Sequence, residues 1–180
     1  MKRTSTFASI ILLLTVLPGC GGSGGGGATI FADIFTSFEP SDFTLGSTTF
    51  TLGTAPDSVD FTGGMTATIG QGHLYKSGIA SWRVTGASAV MVADLDKDAA
   101  IVVLYAANEA GGQGEIRVYD ETDTLKFTVT ITVTSMMVPG AKFVFIATDL
   151  GATGISKIEV TNGPGAGDVT WIDDFGVTYP

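Results

Sequence analysis

The residues with the most evident chemistry are acids. Asp94, Asp96 and Asp98 stand at alternate positions in "DLDKDAAIVVLY", the spacing with which an EF-hand calcium loop opens. That loop needs Gly at its sixth place and Glu at its twelfth, and Ala99 and Tyr105 stand there instead. The run therefore reads as a solvated turn between two strands, with Lys97 offsetting its neighbours. His73 in "GQGHLYKSG" is the only histidine, so a Ser–His–acid relay would have to use it as the base. No nucleophile elbow supports such a relay, and His73 is read as a loop residue. Cys20 is the only cysteine, which leaves no disulfide and no Cys/His zinc set. Two carboxylates held about 5–10 Å apart can hydrolyse a glycosidic bond. None of the 18 acids stands in a recognisable catalytic context, and no catalytic residue is assigned.

Sugar binding would need aromatic rings displayed on a strand face or at loop tips. Trp82 shares its phase with Ala80 and Val84, and Trp171 shares its phase with Phe175 and Val177. Alternation at period two places both indoles in a core. Tyr75, Tyr105 and Tyr119 remain as platform candidates without a pattern to choose among them. Asp173 falls on the phase of Trp171, Phe175 and Val177. A carboxylate facing a core is costly unless it is paired, hydrogen-bonded or bound to metal.

The chain opens with Lys2 and Arg3, then an apolar run from Phe7 to Leu17, then Pro18-Gly19. A positive start, a short apolar run and a small residue make a secretory signal. The run is too short to span a bilayer, which takes about 20 helical residues. "Leu17-Pro18-Gly19-Cys20" resembles the lipobox of bacterial lipoproteins, with Pro18 in a place where Ala, Ser, Thr or Val is usual. The resemblance implies that Cys20 becomes the mature N-terminus and carries acyl chains such as palmitate. Several chains together hold a protein stably where one does not. Gly21 to Gly27 are all Gly or Ser, a tether with a reach of roughly 15 Å. Gly21 is not the aspartate that often retains lipoproteins in the inner membrane. In a two-membrane bacterium this implies the outer membrane. Residues 1–19 are thus read as signal peptide, 20–27 as lipidated Cys and tether, and 28–180 as one domain.

Removing residues 1–19 leaves seven basic and eighteen acidic residues, a formal charge of −11. Such a surface repels nucleic acid and anionic lipid. The remaining length suffices for one domain with a real core. "LKFTVTITV", Leu125 to Val133, alternates strictly and predicts a strand with one buried face. "EIRVY" precedes it through Asp120-Glu121-Thr122-Asp123, which reads as a hairpin with a polar turn. Further runs read as strands: "TIFADIF", "STTFTL", "SVDF", "MTATI", "ASWRV", "SAVMVA", "AAIVVLYAA", "KFVFIA", "KIEV" and "VTWIDDFGV". Glycine-rich turns separate many of them. Many short strands and no helical period predict an all-β, antiparallel sandwich of jelly-roll type with about ten strands.

"DIFTSFEPSDF" and "TWIDDFGV" resemble the first and last strands of carbohydrate-binding-module-like jelly rolls. "KFVFIATDLGATGISKIEVTNG" resembles their late strand pair. The resemblance implies adjacent first and last strands whose acids hold one structural Ca2+, here Glu39 and Asp173 with Asp174. It also implies a lipid-anchored, non-catalytic domain of the bacterial cell envelope that serves binding, adhesion or display. Its partners would be the membrane through the anchor, and polysaccharide or another surface protein. The alternative is a surface enzyme acting on polysaccharide, a glycoside hydrolase or lyase.

Overall fold

The computed structural model describes residues 32–38, 44–68, 80–108, 113–132 and 140–180, all within one compact unit, Phe31–Pro180. Among these residues run twelve strands. They are β1 (Ile34–Thr36), β2 (Phe50–Thr54), β3 (Asp57–Thr62), β4 (Met65–Thr68), β5 (Ala80–Thr85) and β6 (Val90–Ala99). The rest are β7 (Ile101–Asn108), β8 (Gly114–Asp120), β9 (Leu125–Ile131), β10 (Ala141–Ile146), β11 (Ile155–Thr161) and β12 (Val169–Thr178). Each apolar run singled out in the sequence contains or overlaps one of them. Among the described residues one 3-10 turn, Ala147–Leu150, ends at Gly151 in the left-handed conformation.

Two antiparallel sheets pack face to face as a sandwich. The first has the order β10-β7-β12-β5-β4, and β1 pairs with the half of β12 that β5 leaves open. First and last strands are therefore neighbours, with Ile34 opposite Val177 and Thr36 opposite Phe175. The second sheet has the order β2-β3-β6-β11-β8-β9. Inward residues of both sheets meet in one apolar core. At its centre Phe50 stacks on Phe61 at 4.7 Å, and Phe175 meets Phe61 edge-on at 5.0 Å. Trp82 lies 5.4 Å from Phe50 and is fully buried, as its phase predicts. A Cβ on Gly64 would fall 1.6 Å from Trp82 Nε1, so only glycine lets the turn before β4 lie against the indole.

Two expectations need correction. Asp94, Asp96 and Asp98 do not form a turn: they lie within β6, exposed on the outer face of the second sheet. Leu95 and Ala99 turn inward and hold the run as strand. The alternating run of β9 does not bury a whole face either. Leu125 is 48% and Phe127 36% exposed, and only Ile131 is buried. The cause is position, since β9 is an edge strand whose inner side the facing sheet covers only in part.

The β8–β9 hairpin turns on Asp120 as the polar run predicts. Its Oδ1 accepts Thr122 N–H at 2.9 Å, Thr124 N–H at 2.9 Å and the Thr122 hydroxyl at 2.8 Å. Lys126 Nζ lies 3.4 Å from Oδ2. These bonds favour the carboxylate, above all the one from Thr124, and lower its pKa from 3.8 to about 2.

At the far end of the core, Thr170 Oγ1 sits between Asn108 Oδ1 at 2.8 Å and Asn162 Oδ1 at 2.9 Å. Asn108 Nδ2 donates to Ile131 C=O at 2.5 Å, and Asn162 Nδ2 to the carbonyls of Gly86 and Asp168. A Cβ on Gly114 would stand 2.7 Å from both Asn108 Oδ1 and Thr170 Oγ1. One buried hydroxyl thus ties ends of β7, β9 and β12 to neighbouring loops.

Thr170→Val keeps the shape and removes that hydroxyl. The single proton shared between two buried acceptors is lost, so urea denaturation is expected to show a loss of about 1–3 kcal/mol. Asp120 yields a pH prediction. Because its folded pKa is depressed, its contribution is complete above the unfolded value near 3.8 and is lost as pH falls through about 2. Asp120→Asn is expected to flatten the loss of melting temperature between those two pH values.

Candidate functional site

The two outer faces of the sandwich differ in chemistry. On the second sheet, Tyr119 donates to Glu159 Oε2 at 2.6 Å, and Lys157 Nζ lies 2.5 Å from Asp123 Oδ1. Lys157 also sits over the Tyr119 ring at 4.1 Å. Arg117 meets Glu115 at 3.1 Å, and Thr51 donates to Asp60 at 2.5 Å. The Glu159 hydrogen bond raises the Tyr119 pKa, and the bond to Asp123 raises that of Lys157. Groups on this face answer one another. Tyr119, a platform candidate in the sequence, belongs to that closed set.

The outer face of the first sheet is built otherwise. Within β5, Trp82 and Val84 turn to the core, which sends Ser81 and Arg83 outward. Within β7, Leu104 and Ala106 turn inward and Tyr105 outward. Within β12, Ile172 points to the core, and Trp171 and Asp173 point away. Register then sets these residues side by side. Trp171 is opposite Arg83 on one flank and Ala107 on the other, and Asp173 is opposite Tyr105. The Arg83 guanidinium lies 5.3 Å from the centre of the Trp171 ring, within the reach of a cation–π contact. Lys142 of β10 stands opposite Tyr105.

A bulge in β12 makes this possible. Tyr105 pairs with Asp173 and Val103 with Gly176, so β12 carries one residue more than β7 over that interval. The extra turn falls at Asp174, whose φ is +46°. Asp173 Oδ1 accepts the Asp174 N–H at 2.8 Å. Beyond the bulge, Phe175 and Val177 return to the core. Trp171 and Asp173 therefore do not share a face with Phe175 and Val177 as strict alternation predicts. They lie on the outer face, and both are nevertheless buried, with Trp171 4% and Asp173 3% exposed.

Two polar atoms of this face, Ser81 Oγ and Arg83 Nε, are buried without a hydrogen-bond partner. Ser81 is fully buried as a residue. The sequence reading passed over both, although their signal was present: in "ASWRV" they take the phase that Trp82 and Val84 leave free. Burial raises the Tyr105 pKa, and the nearby charge of Asp174 adds to the rise.

The calcium set is only partly within view. Glu39 lies outside the described residues, as do Cys20, His73 and Tyr75. Asp173 and Asp174 are consecutive, but no group of three His, Cys, Asp or Glu among the described residues could hold a metal ion. Two neighbouring carboxylates, one engaged by a backbone amide, fall short of the six to eight oxygens that calcium takes. The described residues alone do not make the implied site.

No family model matches this chain, and no curated protein matches it. Solved structures similar to it include TmCBM61 in complex with beta-1,4-galactotriose, at 15% identity over 68% of this chain and 88% of that one, TM-score 0.41. A mutant of a carbohydrate binding module family 29 matches at 15% identity over 81% and 92%, TM-score 0.42. A glycoside hydrolase family 43 arabinoxylan arabinofuranohydrolase from Bacillus subtilis, in complex with cellotetraose, matches at 19% identity and TM-score 0.39. That match covers 65% of this chain and only 24% of the hydrolase.

The Tyr105 environment is testable. Asp174→Asn removes a negative charge that opposes phenolate formation. Ultraviolet titration is expected to show one tyrosine ionising at lower pH in the variant, the rest unchanged.

Proposed function

We propose that this chain is a lipid-anchored, non-catalytic module of the bacterial cell envelope that binds glycan on the outer face of its first sheet. One observation carries the reading: on that face register sets the part-exposed side chains of Arg83, Tyr105 and Asp174 around the bulge, above Ser81 Oγ and Arg83 Nε, which are buried without partners. A buried polar group without a partner costs about 1–3 kcal/mol, and such groups in a native fold call for a ligand or a role. A pyranose offers hydroxyls to the accessible polar groups of this face and a C–H face to the part-exposed Tyr105 ring. Tyr105, Asp173 and Asp174 border the same place and supply a mixed aromatic and polar lining of the kind that small-molecule sites use.

The anchoring half of the reading rests on the lipobox-like residues Leu17 to Cys20 and the Gly/Ser stretch behind them. With Gly21 after the cysteine, the expected location is the outer membrane where two membranes are present. Intact-mass measurement of the exported chain tests it, since acylation at Cys20 adds the mass of the lipid and an unmodified thiol contradicts it.

The glycan half is tested on a broad polysaccharide panel with the full chain. Retention without release of shorter sugars is the expected result, and release would make the protein an enzyme. Ser81→Ala serves as the folding control beneath the face. It is expected to leave the melting temperature equal or higher, because an orphaned hydroxyl has gone. Tyr105→Ala removes the accessible ring and is expected to weaken retention by about tenfold, a loss of some 1.4 kcal/mol.

A further inference from the structure

We propose that the end of the first sheet's outer face where the N-terminal segment enters rests on the lipid bilayer that holds the anchor. This rests on the anchoring reading above and adds a contact surface to it. Past the bulge in β12, register aligns Val144, Val103, Gly176 and Phe35 in one row across β10, β7, β12 and β1. The next row holds Ile146, Ile101 and Thr178. Phe35 is 56% exposed, Val144 43% and Ile146 36%, with Val103 and Ile101 half-buried between them. Gly176 lies beneath Phe35: a Cβ there would stand 3.4 Å from the Phe35 ring. The result is a continuous apolar surface of one aromatic ring and four β-branched aliphatic side chains. Its chemistry suits acyl chains. Sugar hydroxyls would find no polar partner in these two rows except Thr178.

The occupant follows from where the chain enters. Ile34 pairs with Val177, and Asp33 Oδ2 accepts the Tyr179 N–H at 2.7 Å. The N-terminal segment therefore joins the sheet beside the row of Ile101 and Ile146. Between Cys20 and Asp33 an extended chain spans at most about 45 Å. A patch that cannot leave the neighbourhood of the bilayer meets it at high effective concentration. A few exposed side chains then suffice, as a second membrane signal does beside a lipid chain. The acidic surplus of the body disfavours anionic headgroups, so the surface it fits is zwitterionic.

The test uses the full lipidated chain in phosphatidylcholine vesicles whose acyl chains do or do not carry bromine, a contact quencher of indole. The two native tryptophans are buried, Trp82 at 0% and Trp171 at 4% exposure, and serve as a silent background. Phe35→Trp is expected to lose about a third of its emission in brominated vesicles, one indole in three, once residue 35 reaches the acyl boundary. The unsubstituted chain is expected to lose none. Adding Val144→Asp and Ile146→Asp to Phe35→Trp is expected to abolish the difference while the protein still floats with the vesicles. Equal emission of Phe35→Trp in both lipids, with the protein afloat, overturns the proposal and leaves the face to solvent or a protein partner. Intact mass of the same sample reports acylation separately. If Cys20 proves unmodified, the anchoring reading fails. The chain is then coupled through Cys20 to a maleimide phospholipid, and the same comparison still decides the patch.

Discussion

The bulge at Asp173 and Asp174 is the constraint on which both faces of the closing strand depend. Period two allows a strand one inward set and one outward set, and β12 needs more than that. It must bury Ile172, Phe175 and Val177 in the core, although Ile172 and Phe175 lie an odd number of residues apart. Inserting one residue reverses the phase and reconciles them. A positive φ at Asp174 is the local cost, and Asp is among the few side chains that enter this region readily. The Asp173 carboxylate offsets part of it by accepting the next backbone amide. Without the extra residue, either Phe175 would leave the aromatic cluster or Trp171 would leave the outer face.

The same bulge divides the outer face into two chemistries. On the β5 side lie Ser81, Arg83, Trp171 and Asp173, and on the β1 side Phe35, Gly176, Val103 and Val144. The polar end holds donors that the fold itself leaves unanswered, and the apolar end holds rings and branched chains exposed to solvent. On the second sheet charged groups close on one another, and its exposed apolar residues lie at Val90 and on the edge strand β9. Stability is secured elsewhere, in the Phe50–Phe61–Phe175 cluster and in the Thr170 hydroxyl between two amides.

Composition and alternation made the architecture legible because they report burial directly. Trp82 reads correctly as core since nothing interrupts β5 between Ala80 and Val84. Trp171 does not, because its phase counts through Asp173-Asp174 as though the strand were regular. A bulge leaves no mark in the pattern of apolar residues when the inserted residue is itself polar. Asp94, Asp96 and Asp98 misled for a related reason. Turn residues and the outer face of a strand are both rich in Asp, and only the inward Leu95 and Ala99 separate the two cases. In β9 the alternation matches the strand but not its burial, since being an edge strand is a property of topology that the strand itself does not encode. The pairing of β1 with β12 entered the reading through resemblance to known jelly rolls, and the register bears it out. Ser81 and Arg83 needed the structure, because an orphaned donor is defined by what does not surround it.

The charge distribution narrows what the outer face can meet. Among the described residues Lys97, Arg117, Lys126 and Lys157 each stand within 4.0 Å of an acid, so much of the small cationic complement is already neutralised in place. Arg83 is committed to the Trp171 ring, where its charge is partly answered by the indole face. A polyanionic ligand would thus approach an acidic body with few cations free to receive it, and each acid it passed would repel it over a Debye length of about 8 Å. A neutral ligand meets no such penalty, and neither does a zwitterionic surface. For such a ligand shape, apolar contact and hydrogen bonds outweigh charge. Part-exposed Arg83 and Tyr105 lie toward one end of the first sheet's outer face and exposed Phe35 at the other.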